Sequence, residues 1–258
     1  MKTIITLISD WRTRDPFLAM FKGEILSSIQ EACIIDITHT VDMFNVAQTA
    51  FLSSNSYKKF PDGTFHLMLT NVSENDTFDP VIVEHDRHFF VGNDNGIFRL
   101  MFDRQIPLTG KKYAVGGPSG ALTKMIALVK ASAAQEIDRI TQPYGTFVEQ
   151  LPHLPMYNKD KRSIEGEIVY IDAFCNAITN IPTALFMETV KEGPFEAYVN
   201  AKKRWKCQKY HDTYIPEKDD EFYLAGNALG YVEITVFQGN IAVLMDLKVG
   251  DQITIECK

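Results

Sequence analysis

The stretch TIITLISDWRTRDPFLAMFKGEILSSIQE (residues 3–31) decides the fold of the first half of this chain. Residues 3–9 form a mostly apolar run that is typical of a buried β-strand, and from residue 16 onward apolar side chains recur at helical spacing. A strand that runs through a short polar loop into a helix is the opening step of an alternating α/β fold. The loop begins at Asp10, so a carboxylate is expected where the first strand ends.

The same alternation continues to about residue 132. We expect strands at 32–38, 65–72 and twice within 81–93, and helices at 45–58 and 119–132. Asn45 is placed to cap the second helix, and His85-Asp86-Arg87 is a plausible turn. This order of elements predicts an α/β domain with a mostly parallel sheet and helices on both faces.

After about residue 164 the pattern changes to short strands with turn signals between them. The strand candidates are 166–174, 177–182, 195–200, 202–208, 221–227, 230–237 and 251–257, and one short helix is expected at 240–248. Such spacing is typical of a small antiparallel sandwich or barrel. We therefore predict an α/β domain over 1–150, a linker rich in proline and charge over 151–163, and an all-β domain over 164–258.

Composition narrows the class of protein. The chain has 258 residues, 45% of them hydrophobic and 23% charged, as in an ordinary globular protein. Its net charge of -7 argues against nucleic-acid or anionic-membrane partners. No apolar run has the length of a membrane span, and the N-terminus does not resemble a signal peptide. The cysteines are scattered without a C-x-x-C pair, so we expect reduced thiols, no metal site and a cytoplasmic location.

Position alone makes Asp10 the first candidate for ligand binding. Ligands of open parallel sheets bind beyond the carboxyl ends of the strands, and a carboxylate there can accept two hydrogen bonds from a ribose diol. Asp10 could instead pair with Arg12 or Arg14. Trp11 could be a packing residue, and Asp15 is well placed to be the N-cap of the helix that starts at Pro16.

One glycine-rich loop and one turn candidate have weaker signals. GGPSG (116–120) opens the helix expected at 119–132 and could turn its amides toward an anion, or could be only a turn. Asn93-Asp94-Asn95-Gly96 has the chemistry of a hairpin turn. The chain carries no G-x-G-x-x-G, Walker, H-E-x-x-H or G-x-S-x-G motif.

Several segments together resemble the S-adenosylmethionine hydroxide adenosyltransferases, whose relatives include fluorinating and chlorinating enzymes. They are TLISDWRTRDPFLAMFKGEI, DITHTVDMFNVAQTAFLSS, FPDGTFHLML, FVGNDNGIF, GEIVYIDAFCNAITNI and GYVEITVFQGNIAVLMDLKVGD. They occur in family order along nearly the whole chain. The resemblance implies an α/β domain, a β-rich domain and a homotrimer. It also implies that the small-molecule ligand, S-adenosylmethionine, binds where one subunit's N-terminal domain meets a neighbour's C-terminal domain, with no cofactor.

The resemblance also implies roles for particular residues in substrate binding. Asp10 would hold the ribose diol, with Trp11 beside it, and Asp15 would help to hold the methionine end. The family's D-x-F-G-N motif places Asp172 and Asn176 at the methionine amino group and the adenine edge. Phe44 would lie near an aromatic wall of the ligand site. Asn240 and Ala242 would lie in the segment whose backbone groups contact adenine. By their residue types alone, Asp172 could cap a turn at a strand end and Asn176 could be a turn residue.

The chain departs from the hydrolytic members where they activate water. They have D-P-G-V-G after the third strand with an arginine shortly beyond, and later F-H-G-R-D. Here the first segment begins at Asn71 and reads NVSEN, the arginine position is Phe78, and no histidine lies between His88 and His153. Candidate catalytic residues are therefore Asn71, Ser73 and Ser119, the serines as hydrogen-bond donors to a small nucleophile. Glu74 or Asp76 could replace the missing acid.

Two functions follow from this reading. The first is an enzyme that cleaves S-adenosylmethionine, in which water or another small nucleophile attacks the ribose 5′ carbon and releases L-methionine with adenosine or a 5′-substituted adenosine. A water-using enzyme needs a base or a positioned charge, whereas a halide needs only a dry pocket with donors. The second is an inactive binder of adenosine or S-adenosylmethionine that has lost the water-activating residues.

Overall fold

A computed structural model describes residues 2–102, 107–117, 119–190, 193–200, 206–212 and 222–258. The chain divides between Pro152 and His153 into two units. Most of the strand predicted at 202–208, and Pro118 of the GGPSG loop, lie outside the described residues. No helix in the described ranges has both the length and the apolar character needed to cross a bilayer.

The described residues of the first unit form seven strands and four α-helices. In chain order they are β1 (Thr3–Ile8), α1 (Phe17–Ser28), β2 (Ala32–Thr38), α2 (Val46–Ser56), β3 (Phe65–Met68), β4 (Val81–His85), β5 (His88–Gly92), α3 (Ile97–Met101), β6 (Gly110–Tyr113), α4 (Ala121–Ala133) and β7 (Thr141–Tyr144). The strands form one sheet in the order β2-β1-β3-β5-β4-β6-β7. β2, β1, β3 and β5 are parallel neighbours, while β4, β6 and β7 add antiparallel pairs. The α/β class is confirmed, and the sheet is mixed.

Helices cover both faces of this sheet, as the alternation of strand residues shows. Ile5 and Leu7 of β1 pack in one core with residues of α1 and α4, whereas Ile8 packs in a second core with residues of α2 and α3. Successive side chains of a strand point to opposite faces, so a strand with both faces covered is apolar on both. This is why β1 has a nearly continuous apolar sequence.

Three predictions about helix ends and turns can be compared directly with the structure. The cap of α2 is confirmed, because the Asn45 side chain accepts a hydrogen bond from the Gln48 amide. Asp15 as N-cap of α1 is wrong: Pro16 occupies that position and no side chain caps the helix. The segment 93–96 is not a hairpin turn, since it leads from β5 into α3, with Gly96 at the start of the helix at φ 97°.

A chain of buried polar groups runs across the first sheet. Thr6 Oγ1 lies 2.7 Å from His66 Nδ1, and His66 Nε2 lies 3.1 Å from His88 Nδ1. Both histidines are buried, and the Tyr57 ring packs edge-on against each of them. Desolvation, together with the neighbouring His88, lowers the pKa of His66 to about 3, and desolvation also lowers the pKa of His88.

In its described residues, the second unit is built on strands, with two α-helices. Its elements are β8 (Met156–Asn158), β9 (Ser163–Ile171), β10 (Ala177–Pro182), α5 (Thr183–Val190), β11 (Phe195–Val199), β12 (Tyr210–His211), β13 (Tyr223–Gly226), β14 (Tyr231–Thr235), α6 (Ile241–Leu244) and β15 (Gln252–Cys257). The sheet order is β11-β15-β9-β10-β14-β13-β12, with β8 beside β9. All pairs are antiparallel except β12 with β13. The β-rich character is confirmed, and α5 was not predicted.

Candidate functional site

Asp10 lies just beyond the carboxyl end of β1, where the sequence places it. Its Oδ2 accepts hydrogen bonds from the Phe44 amide at 2.9 Å and from the Asn71 amide at 3.2 Å. These donors belong to the loops that follow β2 and β3, so three neighbouring strand ends converge on one carboxylate. Among the described residues no ion pair joins Asp10 to Arg12 or Arg14, so the pairing considered above is not formed.

Both donors have unusual backbone conformations. Phe44 has φ 64° and Asn71 has φ 57°, in the left-handed region that non-glycine residues seldom adopt. For a bulky residue such as Phe44 this conformation is strained, and such strain is concentrated at ligand-binding positions. The Phe44 side chain is also 67% exposed, although its residue type favours burial. Phe44 therefore presents an exposed aromatic residue on the loop whose amide holds the Asp10 carboxylate, and its role as an aromatic wall stays a prediction.

Trp11 makes the contacts of a packing residue. Its Nε1 donates to the Val72 carbonyl at 2.7 Å, and its ring meets Phe21 edge-on at 5.8 Å. The indole lines a cavity of about 280 Å³ whose other walls include Phe17, Met20 and Ser73. Trp11 therefore joins the loop after β1 to the loop after β3.

The candidate catalytic residues lie on two adjoining loops. The Ser73 amide donates to Asp76 Oδ2 at 2.7 Å, and the Asp76 carbonyl accepts from the Ala121 amide at the start of α4, also at 2.7 Å. Ser73 and Ser119 are exposed, and so is Asn71. The structure thus brings the loops of Asn71, Ser73 and Ser119 together at the carboxyl edge of the sheet. The Asp76 carboxylate is engaged in closing its own loop.

A cation that the sequence reading missed supports the same loop. Lys124 of α4 is buried, and its Nζ donates to the Thr77 carbonyl at 2.9 Å, the Phe78 carbonyl at 3.4 Å and Asp79 Oδ1 at 2.8 Å. Phe78 stands where the hydrolytic relatives are expected to have an arginine. A positive charge is therefore present at this loop, supplied from a helix and saturated by loop acceptors. In the sequence, the signal for this residue was a lysine on an otherwise apolar face of the predicted helix.

A second missed group lies beneath Asp10. Ser9 Oγ lies 2.7 Å from His39 Nδ1, and both residues are buried. His39 Nε2 lies 3.1 Å from Asp36 Oδ1, a contact without the alignment of a good hydrogen bond. Asp36 Oδ2 accepts from Lys22 Nζ at 2.6 Å. The signal in the sequence was a histidine three residues after an acid, directly beyond a strand.

In the second unit, Asp172 organises the turn between β9 and β10. Its Oδ1 accepts from the amides of Phe174 at 2.9 Å and Asn176 at 2.8 Å, and its Oδ2 accepts from Asn176 Nδ2 at 3.1 Å. Asn176 is buried, and its Oδ1 accepts from the Thr235 hydroxyl at 2.7 Å. Cys175 has φ 61°. The capping role considered for Asp172 is therefore real, and Asn176 joins the turn to β14.

Asn240 and Ala242 lie beside this turn. The Asn240 side chain caps α6 by accepting from the Val243 amide at 3.0 Å. The Ala242 amide donates to the Cys175 carbonyl at 3.1 Å, and its carbonyl accepts from the Leu247 amide at 2.8 Å. The structure thus brings the four predicted residues of the second unit into one cluster. Both backbone groups of Ala242 are therefore engaged within the cluster, so its carbonyl could contact a ligand only through its second lone pair.

Asp172→Ala tests how much of this cluster depends on the carboxylate. Hydrogen bonds to a charged group contribute about 1.5–3 kcal/mol each when buried. Because the site is only half-buried, we expect the free energy of unfolding to fall by about 3 kcal/mol in total. Asp172→Asn keeps an oxygen for the two backbone amides and should lose about 1 kcal/mol. Urea unfolding of both variants measures the difference. Equal stability of the Asp172→Ala variant and the wild-type protein would contradict the organising role.

Asp15 is not drawn into either cluster, since it lies exposed before α1. Within the described ranges, no three His, Cys, Asp or Glu side chains are grouped so as to hold a metal ion. The chain therefore presents two clusters of predicted ligand-binding residues, one in each unit, built mainly from carboxylates, amides and exposed apolar side chains.

Comparisons with known proteins agree with this arrangement. Residues 5–148 match the family model described as the SAM hydroxide adenosyltransferase N-terminal domain, and residues 166–254 match that of the C-terminal domain. The two matched segments fall on the two structural units and include the residues of both clusters.

Two named relatives and one solved structure match this chain over nearly its whole length. The (R)-S-adenosyl-L-methionine hydrolase of Methanocaldococcus jannaschii is 26% identical over 98% of this chain and 95% of its own length. The hydrolase of the same name from Thermus thermophilus is 25% identical, over 95% and 96%. A conserved protein from Thermotoga maritima superposes with a TM-score of 0.85 at 20% identity, covering 98% of this chain and 100% of that one. At that identity the likeness shows the fold.

Proposed function

This chain belongs to the SAM hydroxide adenosyltransferase family, and from this premise we propose that it cleaves S-adenosyl-L-methionine with water, giving adenosine and L-methionine. The water oxygen attacks the ribose 5′ carbon, the bond from that carbon to sulfur breaks, and sulfur keeps the electron pair. One proton is released. The curated relatives named as hydrolases support water as the nucleophile.

The observation that carries the proposal is the hydrogen bonding of the Asp10 carboxylate. Oδ2 is held by two backbone amides, whereas Oδ1 receives no hydrogen bond from the described residues. A carboxylate fixed through one oxygen presents the other as an acceptor in a defined direction. A ribose hydroxyl is a suitable donor to it. Phe44 beside it offers a ring against which the ligand can pack.

The sulfonium of the substrate is a good leaving group, so the protein needs chiefly to position the two reactants. Asn71, Ser73 and Ser119 are exposed on the loops at this edge of the sheet, and their side chains carry the polar groups available there. We assign them to the attacking water. Asp15, Trp11 and the Asp172 cluster are assigned to the rest of the substrate, in a homotrimer and without a cofactor.

The test is incubation of the purified protein with S-adenosyl-L-methionine and separation of the products by chromatography with mass detection. In H2(18)O we expect adenosine carrying one heavy oxygen, with an equal amount of L-methionine. Parallel reactions with fluoride or chloride test a halide nucleophile, which would give a 5′-halogenated adenosine. Binding without any product at high protein concentration would instead identify an inactive binder.

A further inference from the structure

We infer that His39 is a positioning residue, which acts through Ser9 to hold the loop that carries Asp10 in its ligand-binding conformation. The inference rests on the proposed function, because Asp10 is taken as the ribose-binding carboxylate. His39 itself is buried and is proposed to touch no substrate.

The loop after β1 is attached to His39 on both sides of Asp10. On one side, Ser9 Oγ lies 2.7 Å from His39 Nδ1. On the other side, the Arg12 amide donates to the His39 carbonyl at 2.7 Å, and Arg12 has φ 62°. The Trp11 amide also reaches Ser9 Oγ, at 3.4 Å. Asp10 therefore sits between two residues that both contact His39, Ser9 through the imidazole and Arg12 through the backbone carbonyl.

The polar groups form a chain with one direction of donation. A carboxylate only accepts, so His39 Nε2, which faces Asp36, carries a hydrogen. With this hydrogen assigned to Nε2, Nδ1 is the acceptor for the Ser9 hydroxyl, and Ser9 Oγ accepts in turn from the Trp11 amide. Such partners fix the orientation of a histidine ring and of whatever the ring holds.

Asp36 is suited to anchor the far end of this chain. Burial acts to raise its pKa, but the hydrogen bond from Lys22 and the contact with His39 outweigh burial, so the pKa of Asp36 lies below its ordinary value. It remains a carboxylate at neutral pH. Lys22 belongs to α1, so the chain of contacts also attaches the Asp10 loop to the helix that follows it.

The first sheet contains a matched control. Thr6 and Ser9 lie three residues apart in and just after β1, both are fully buried, and each has a hydroxyl 2.7 Å from the Nδ1 of a buried histidine. Thr6→Val and Ser9→Ala therefore delete the same kind of hydrogen bond. Only Ser9 lies next to Asp10. If loss of the histidine contact only lowered stability, the two substitutions should have equal effects, whereas a role in holding Asp10 predicts an effect on binding in Ser9→Ala alone.

The experiment compares these two variants by hydrogen exchange and by ligand affinity. The amides of Phe44 and Asn71 donate to Asp10, and we expect peptides containing them to exchange at least threefold faster in Ser9→Ala and unchanged in Thr6→Val. The KM for S-adenosyl-L-methionine should rise roughly tenfold in Ser9→Ala, since displacement of a binding group by a fraction of an ångström is costly. kcat should change less.

Two substitutions of His39 separate its two nitrogens. In His39→Asn the new amide oxygen takes the place of Nδ1, whereas in His39→Gln the longer side chain brings its amide only to the position of Nε2. We expect His39→Asn to retain slow exchange at Phe44 and Asn71, and His39→Gln to resemble Ser9→Ala. Equal effects of Ser9→Ala and Thr6→Val, or no rescue by His39→Asn relative to His39→Gln, would overturn the inference.

The two claims can fail separately. If the wild-type protein neither binds nor cleaves S-adenosyl-L-methionine, the proposed function is wrong, yet the exchange rates at Phe44 and Asn71 still decide whether His39 positions Asp10. If wild-type turnover is present and the exchange rates of Ser9→Ala match those of wild type, the positioning role alone is wrong.

Discussion

Asp10→Ala is expected to weaken binding of S-adenosyl-L-methionine by roughly 100-fold, which is the largest effect of any single substitution proposed for the ligand site. A charge-assisted hydrogen bond contributes about 1.5–3 kcal/mol, and loss of the carboxylate also releases the two amides that hold it. Isothermal titration calorimetry measures the affinity directly, and kcat/KM should fall at least as far.

A surface acid of the same unit provides the control. Asp62 lies on an exposed loop, where its carboxylate is 2.9 Å from Arg87, and Asp62→Ala should leave affinity within twofold of wild type because exposed ion pairs contribute little. Asp10→Asn retains one carbonyl oxygen, which the Phe44 and Asn71 amides would take, so it should bind almost as weakly as the alanine variant. Wild-type affinity in Asp10→Ala would remove Asp10 from the site.

Acid should destabilise the protein through the buried pair His66 and His88. The pKa of His66 is lowered to about 3 in the folded state, whereas an unfolded histidine takes up a proton near its ordinary value. The unfolded state therefore binds more protons as the pH falls. The stabilising effect of a neutral His66 is complete above about pH 6.5 and declines as pH falls toward about 3, by a total on the order of 4 kcal/mol.

Urea unfolding at pH 7.0 and pH 4.5 measures this decline. His66→Gln carries no titrating ring, so its stability should fall less between the two pH values than that of wild type, although it starts lower because the contacts with Thr6 and His88 are altered. His85→Gln changes a histidine outside the buried pair and should keep the wild-type difference. A pH dependence in His66→Gln as steep as in wild type would show that other groups dominate the acid response.

Sequence reasoning succeeded where one local rule governed the outcome. The apolar period identified α1, α2 and α4, and Asn45 was recognised as a cap. The turn predicted at His85-Asp86-Arg87 lies at Asp86-Arg87 between β4 and β5, with His85 as the last residue of β4. It failed where tertiary contacts decided. Asp15 has the chemistry of an N-cap, but the chain enters α1 at Pro16 and needs no side-chain cap. α5 carries β-branched and aromatic residues, so its sequence did not distinguish it from a strand.

The candidate site shows the same division. Asp10 could be placed by the rule that ligands bind at the carboxyl ends of parallel strands. Its partners could not, because the Phe44 and Asn71 amides are distant in the sequence and are aimed by left-handed backbone conformations. Ser9 and His39 are likewise joined only by the β1–β2 pairing. Lys124 was predicted only as part of a helix, and its contacts with three acceptors in the loop after β3 could not be predicted from the helical pattern.

The two hydrogen bonds that Asp10 accepts from amides distant in the sequence affect the entropy of ligand binding. A free aspartate side chain must surrender rotamer freedom when it binds, and that loss weakens affinity. Here the loss occurs when the chain folds, since folding itself delivers the Phe44 and Asn71 donors to Oδ2. Affinity is then coupled to local opening of the loops that carry Phe44 and Asn71, because these loops hold Asp10 through Oδ2. Substitutions that loosen those loops should raise the dissociation constant even where every residue that meets the ligand is unchanged.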